Sequence, residues 1–80
     1  MLTELKNAKK AVGLKQSRKA VKEGKAIRVY LAVNADDRLC TPIAELCAEQ
    51  GVELCCEFTM SELGEACGIN VGSAAAAILK

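Results

Sequence analysis

The order of apolar and polar positions along this 80-residue chain predicts helices in its N-terminal third. Apolar residues recur at helical spacing between residues 2 and 12, and Gly13 follows them, which predicts a first helix ending at that glycine. Residues 16–23 are typical of a second helix, with Gly24 as its stop signal. The chain is therefore expected to open with two helices.

Three strands are predicted further along the chain. Residues 27–33 are an apolar run interrupted only by Arg28, as in a buried strand, and residues 52–58 predict a second strand. Residues 73–79 are rich in alanine, which favours a helix by propensity. We interpret them as a buried central strand, because alanine lets helices pack closely on a sheet.

Two later helices are predicted from their capping residues. Thr41 followed by Pro42 suits an N-cap and first helical position, and Gly51 suits the end of that helix. Thr59 and Glu62 have the spacing of a capping box, which predicts a short helix. Alternating helices and strands predict an α/β fold, a three-layer α/β/α sandwich with a small mixed sheet, as one domain over residues 1–80.

Charge is divided unevenly along the chain. Residues 1–28 hold nine basic and two acidic groups, a net charge of +7, whereas residues 29–80 hold two basic and eight acidic groups, a net charge of −6. The total of +1 conceals this separation. A basic region on a nearly neutral protein predicts a polyanionic partner that meets one side only.

The residue types present narrow the function classes. There is no histidine, the usual acid–base partner of a nucleophile, so we do not expect an enzyme. Five cysteines without paired metal-site spacing or an export signal are interpreted as reduced core residues, and no metal or cofactor is expected. No apolar run approaches the length of a membrane span, so a soluble, cytoplasmic protein is expected.

Two segments carry candidate binding chemistry. A glycine at the start of the second helix allows close backbone approach to a ligand, and free N–H groups, lysines and glutamine there suit phosphates and base edges. In the second segment, aliphatic side chains between glycines suit an unstacked base. The candidates are Gly13, Leu14, Lys15, Gln16, Arg18 and Lys19 in the first, and Ile69, Asn70, Val71 and Gly72 in the second. The simpler alternatives are a solvated basic helix end and an ordinary loop whose aliphatic side chains turn inward.

Three motifs in this order resemble the ribosomal protein L7Ae family and its L30e relatives. They are Gly13-Leu14-Lys15-Gln16-x-x-Lys19, Ala32-x-Asn34-Ala35-Asp36 and Leu63-Gly64-x-Ala66-Cys67-Gly68-Ile69. The Lys-Gln pair is typical of short bacterial members, where archaeal and eukaryotic members carry Asn-Glu. The resemblance implies a protein that binds kink-turn RNA, a duplex bent at a three-nucleotide bulge beside sheared G·A pairs.

The resemblance also implies roles for individual residues. Lys15 and Gln16 would contact the guanines of the G·A pairs, and Lys19 a base or phosphate beside them. Residues 69–72 would pack against the bulge, with Val71 near an extruded nucleotide. By the same matching, Asp36 would accept a hydrogen bond from a base and Cys40 would help line the pocket for the bulged base. The RNA would be ribosomal RNA, a riboswitch or another structured transcript, bound by a monomer.

A second interpretation assigns the chain to protein interaction or thiol regulation. The acidic remainder of the chain could meet a basic partner, and Cys55-Cys56 could include an exposed regulatory thiol.

The near absence of aromatics argues against a generic single-strand binder, which stacks bases on several aromatic rings. Recognition of a folded RNA through backbone, amide and lysine groups has no such requirement.

Overall fold

The computed structural model describes residues 7–80, and strands and helices alternate through this part of the chain. They are β1 (Lys10–Val12), α1 (Leu14–Lys22), β2 (Ala26–Leu31), α2 (Asp37–Gln50), β3 (Glu53–Cys55), α3 (Met60–Ala66) and β4 (Ala75–Leu79). The predicted α/β class is confirmed.

The four strands form one mixed sheet in the order β1-β4-β2-β3. Strand β4 runs antiparallel to both β1 and β2, whereas β2 and β3 are parallel. The alanines at 75, 76 and 77 are completely buried, because β4 is paired on both edges and covered on both faces. The prediction of a buried central strand is therefore confirmed, since tertiary packing outweighs the helix propensity of alanine.

Each face of the sheet carries its own apolar cluster. One cluster joins α1 and α2 to the sheet through Val21, Val29 and Ile43, and the other joins α3 to the opposite face through Tyr30 and Leu63. Neighbouring residues of β2 contribute to opposite clusters because side chains alternate across a strand. The helices thus lie on both sides of the sheet, as the predicted three-layer sandwich requires.

The first predicted helix is wrong over its last residues. Lys10–Val12 is a strand, in which Lys10 pairs with Ile78 and Val12 with Ala76. The backbone groups of these residues form their hydrogen bonds with β4. The helical periodicity of a few apolar residues cannot reveal such pairing with a distant strand. Leu2 and Leu5 of the same prediction lie outside the described residues.

The start of α2 also differs from the prediction. Asp36 is the N-cap, and its Oδ1 accepts a hydrogen bond of 2.9 Å from the backbone N–H of Arg38. Thr41 and Pro42 consequently lie inside the helix, where proline removes one helical hydrogen bond. Aspartate is as strong an N-cap as threonine and comes earlier in the chain, so the helix begins there. The predicted end at Gly51 is confirmed.

Both strands at the sheet's β3 side are shorter than predicted. Strand β3 ends at Cys55, and after it the carbonyl of Phe58 accepts a bond of 2.8 Å from the N–H of Val33. Ile27, expected to be buried, is 51% exposed. The register of β2 against β4 shifts between Ala26 and Arg28, and such a bulge turns the extra residue out of the alternation.

The predicted capping box of α3 is present. Thr59 Oγ1 accepts from the N–H of Glu62 at 3.2 Å, and Glu62 Oε1 accepts from the N–H of Thr59 at 2.9 Å. The two bonds satisfy donors that the first helical turn leaves unpaired. They fix where α3 begins, next to the end of β2.

The cysteines divide between core and surface. Cys40, Cys47 and Cys55 are buried, as predicted, whereas Cys67 is half-buried and Cys56 is exposed, so the core interpretation is wrong for Cys56. Cys56 follows the last residue of β3, where the chain leaves the sheet. Within residues 7–80, no three potential metal-ligating side chains cluster, and every helix is too short or too polar to cross a membrane.

Two buried serines lead to opposite predictions for the stability of their alanine variants. Ser17 is completely buried and its hydroxyl has no hydrogen-bond partner among residues 7–80, whereas Ser73 Oγ donates to the carbonyl of Ala75 at 2.7 Å. We expect Ser17→Ala to raise the free energy of unfolding by about 1 kcal/mol, because it removes an unsatisfied buried hydroxyl. Ser73→Ala should lower it by about 1 kcal/mol. Urea denaturation measures both, and a destabilised Ser17→Ala variant would contradict the assignment.

Candidate nucleic-acid interface

The three described helices all begin at the same end of the sheet. Strands β1, β2 and β3 run in one direction and β4 in the other, so the carboxyl ends of the first three lie beside the start of β4. Helix α1 begins directly after β1, and α2 and α3 begin a few residues after β2 and β3. The loop 67–74 reaches the same end as it enters β4.

Backbone hydrogen bonds fix these segments to one another. The N–H of Gly13 donates to the carbonyl of Ala75 at 2.8 Å, which places the start of α1 beside the end of the loop. The N–H of Ser73 donates to the carbonyl of Met60 at 3.0 Å, so the loop is also held to α3. The two candidate segments, far apart in sequence, therefore lie at the same end of the molecule.

The start of α1 presents polar side chains outward. Lys15, Gln16, Arg18 and Lys19 are all exposed. Gly13, the residue before the helix, has φ of 99° and ψ of 162°, a conformation that side-chain-bearing residues rarely adopt. It provides no side-chain cap, and the first turn holds no acidic residue, so the positive end of the helix is uncompensated.

The exposed side chains of α1 divide between two grooves. Lys15 and Arg18 line a groove of about 290 Å³ against α2, whose other lining residues are Leu14, Arg38, Leu39, Pro42 and Ile43. Gln16 and Lys19 line a groove of about 180 Å³ on the opposite side of the helix, with Ala11, Ala20, Glu23, Lys25 and Leu79. Side chains three residues apart therefore line the same groove, Lys15 with Arg18 and Gln16 with Lys19.

The loop 69–72 projects its aliphatic side chains into solvent. Ile69 is 36% exposed and Val71 is 70% exposed, and Asn70 and Gly72 are exposed too. The prediction of exposed aliphatic residues is confirmed, and the alternative in which they turn inward is wrong. An exposed valine beside a polar helix end is the kind of surface that can cover an unstacked base.

A glycine in α3 sets the position of this loop. A β-carbon at Gly64 would overlap the carbonyl oxygen of Val71 and lie 3.0 Å from the α-carbon of Gly72. The N–H of Ile69 also donates to the carbonyl of Gly64 at 3.1 Å. Only a residue without a side chain allows the loop to pack this closely on α3.

The carboxylate of Asp36 already accepts hydrogen bonds from the helix that it caps. Besides capping α2, its carboxylate accepts from Arg38 Nε at 3.3 Å and Nη2 at 3.1 Å. The side-chain bonds from Arg38, and then its backbone bond, lower the pKa of Asp36 below the usual range. A base that donates to this carboxylate would compete with the Arg38 guanidinium.

Cys40 lies on the inner side of α2 and is buried. Burial raises the pKa of its thiol, and nearby Asp37 adds to the effect. The group is therefore a neutral, weakly polar part of the wall at this end of the sheet, and it offers a ligand no charge.

Sequence reasoning did not find three exposed residues at this end. Val33, Arg38 and Leu39 all present much of their surface to solvent. The available signal was the Asp-x-Arg spacing of a helix start, which would have placed Arg38 in the first turn of α2. The threonine–proline pair that follows pointed to a later start.

Comparison with known proteins identifies the family of the chain. The sequence model of the ribosomal protein L7Ae/L30e/S12e/Gadd45 family matches residues 2–80. The chain belongs to this family. An RNA-binding protein of Caldanaerobacter subterraneus subsp. tengcongensis is 45% identical over 69 residues, which cover 86% of this chain and 84% of the relative. The predicted resemblance to short bacterial L7Ae-like proteins is thereby confirmed.

Longer family members share the same core. The large ribosomal subunit protein eL8 of Halobacterium salinarum is 38% identical over 68 residues, 84% of this chain but 57% of that protein. The structure of the 15.5kD RNA binding protein of Giardia lamblia superposes with a TM-score of 0.90 at 28% identity, covering 99% of this chain and 70% of the other. The L7Ae-like fold is therefore shown by structure as well as by sequence.

Replacing Gly64 tests how the loop is positioned. In an ordinary helix, Gly→Ala stabilises by about 1 kcal/mol. Here we expect Gly64→Ala to destabilise the protein by about 1–3 kcal/mol, because the methyl group must displace the backbone of residues 71 and 72. Denaturation and amide chemical shifts of residues 69–72 measure the effect, with exposed Glu65→Ala as control. A more stable variant with an unmoved loop would refute this packing.

The Asp36–Arg38 pair predicts a pH-dependent contribution to stability. Because the folded-state pKa of Asp36 is lowered, its contribution is present above the unfolded pKa of about 3.9 and is lost as the pH falls through the folded value. Asp36→Asn keeps an N-cap residue but loses the charge. The variant should be less stable than the parent at pH 7, and this difference should shrink as the pH falls through the folded-state pKa of Asp36. A difference that does not change with pH would contradict the assignment.

Proposed function

We propose that this protein binds kink-turn RNA through the end of the sheet where α1 begins and the loop 69–72 projects. The observation that carries the proposal is the hydrogen bond between Gly13 and Ala75, which joins a basic helix start to an aliphatic loop. Neither segment alone distinguishes an RNA from another polyanion. Together they offer polar groups for base edges and phosphates beside an apolar surface for an unstacked nucleotide.

The chemistry of a kink-turn matches this surface. In regular A-form RNA the major groove is too deep and narrow for side chains to reach base edges. A sharp bend at a bulge beside G·A pairs opens that groove and crowds phosphates around it. Lys15 and Gln16 then meet guanine edges, Lys19 meets an adjacent base or phosphate, and the uncapped start of α1 faces the phosphates.

The loop completes the site on the bulge side. Val71 covers an extruded nucleotide, and Ile69 supports it from the same loop. Asp36 and Cys40 lie at the adjacent start of α2, where the carboxylate offers a hydrogen-bond acceptor and the buried thiol an uncharged wall. The only two aromatic residues of the chain, Tyr30 and Phe58, pack against each other with ring centroids 6.1 Å apart. Recognition of the RNA shape by α1 and the loop does not require these two aromatic rings, which keep their packing role in the fold.

The family relationship supports the class of partner. The bacterial relative and the Giardia structure are both named as RNA-binding, and the Halobacterium relative is a ribosomal protein. We infer that the natural partner is a structured transcript, such as ribosomal RNA or a riboswitch, and that one monomer binds each kink-turn in the cytoplasm.

The proposal predicts that two side chains on α1 carry the discrimination. Gln16→Ala combined with Lys19→Ala should weaken binding to a kink-turn duplex about 100-fold or more, because each base contact is worth roughly 1–3 kcal/mol. The parent protein should also prefer this duplex over one in which G·A is changed to G·C. Gel shift or fluorescence anisotropy measures both.

A matched control separates specific contacts from loss of charge. Lys22→Ala combined with Gln50→Ala removes the same two residue types from the far ends of α1 and α2, and affinity should change little. Circular dichroism checks that both double variants are folded. Equal affinity of the Gln16/Lys19 variant and this control would refute the site, and equal binding of the two duplexes would refute the kink-turn assignment.

A further inference from the structure

The groove between α1 and α2 differs in chemistry from the rest of the proposed interface. Three cationic side chains line it, Lys15, Arg18 and Arg38, and no acidic side chain does. Its apolar lining comes from Leu14, Leu39, Pro42 and Ile43. The groove on the other side of α1 is smaller, and Glu23 offsets part of its positive charge.

Resting on the proposed function, we propose that this groove is a second RNA subsite, which holds one nucleotide of the bound RNA outside the bend. Its phosphate lies between Arg18 and Arg38, and its sugar and base lie on the aliphatic lining. Lys15 belongs to both the start of α1 and this groove, so an RNA strand that leaves the guanine contacts passes directly into it.

The geometry of Arg38 suits a phosphate contact. Its side chain is 90% exposed, and its bonds to Asp36 use Nε and Nη2, which leaves Nη1 and the second Nη2 hydrogen for another acceptor. An exposed ion pair contributes little to stability by itself. Asp36 therefore orients the guanidinium of Arg38 and leaves it able to bind a phosphate. Guanidinium groups bind phosphate through paired N–H donors, which a second arginine across the groove reinforces.

The apolar lining explains why the occupant is a nucleotide and not a phosphate alone. Leu39 is 54% exposed although it lies in a helix whose inner side is well packed. A ribose or base lying on Leu39 and Pro42 would remove this surface from water while its phosphate stays at the rim. The three cationic side chains of the groove, of which Arg38 is paired with Asp36, favour an RNA strand already anchored next to it over an unconnected partner.

The test uses Arg18→Gln combined with Arg38→Gln in the full chain, with Lys22→Gln combined with Lys80→Gln as the control that removes equal charge elsewhere. Binding to the kink-turn duplex and its G·C counterpart is measured across a salt series. We expect the groove variant to bind the kink-turn about 10- to 100-fold more weakly. The plot of log affinity against log salt concentration should also have a slope that is smaller in magnitude by about 1, as expected for the loss of one phosphate contact.

Two readouts locate the contact. Phosphate-ethylation interference should identify at least one phosphate whose modification weakens the parent protein but not the groove variant. Leu39→Ser should weaken binding with an unchanged salt slope, because it removes apolar cover and no charge. The preference for G·A over G·C should persist in every groove variant, since Gln16 and Lys19 are intact.

The outcomes distinguish this inference from the proposed function. If the parent protein shows no preference for the kink-turn, the proposed function fails. If the parent shows the preference but the groove variant binds like the control, the second subsite is wrong. If RNA binding is unchanged and only binding to polyglutamate falls, the groove serves an acidic protein partner and the RNA subsite is again refuted.

Discussion

The antiparallel pairing of β1 with β4 is the constraint on which the candidate interface depends. It ends at the carbonyl of Ala75, which accepts hydrogen bonds from both the N–H of Gly13 and the hydroxyl of Ser73. One acceptor thus fixes the residue before α1 and the residue that closes the loop before β4. Because backbone groups that leave water must be hydrogen-bonded, the pairing of β1 with β4 sets the relative position of helix and loop.

Small residues allow this arrangement to be compact. The alanines of β4 let helices approach both faces of the central strand, and Gly64 lets the loop lie directly on α3. The apolar clusters therefore remain on the inside of the three layers, and the end of the sheet is free to display polar groups. The aliphatic side chains of the loop, Ile69 and Val71, remain at the surface of this compact arrangement.

Charge and shape contribute different parts of the proposed recognition. The basic N-terminal third attracts a polyanion over a distance set by salt, without distinguishing one nucleic acid from another. Discrimination requires groups at fixed positions, and the structure supplies them at the start of α1 and on the loop. The groove between α1 and α2 extends this surface through Arg38, a residue that comes from outside the basic third of the sequence.

The sequence by itself determined the α/β class, the central alanine strand, the capping box at Thr59 and the two candidate segments, because each is encoded by local patterns or by motifs of fixed spacing. It misplaced Lys10–Val12 and the start of α2, where pairing with a distant strand and an earlier aspartate cap outweigh local preference. Only the tertiary structure decided that Gly13 meets Ala75, that the side chains of α1 divide between two grooves and that Arg38 lines the same groove as Arg18. These relations join residues far apart in the chain, and their geometry is set by strand direction and helix packing, which no local pattern specifies.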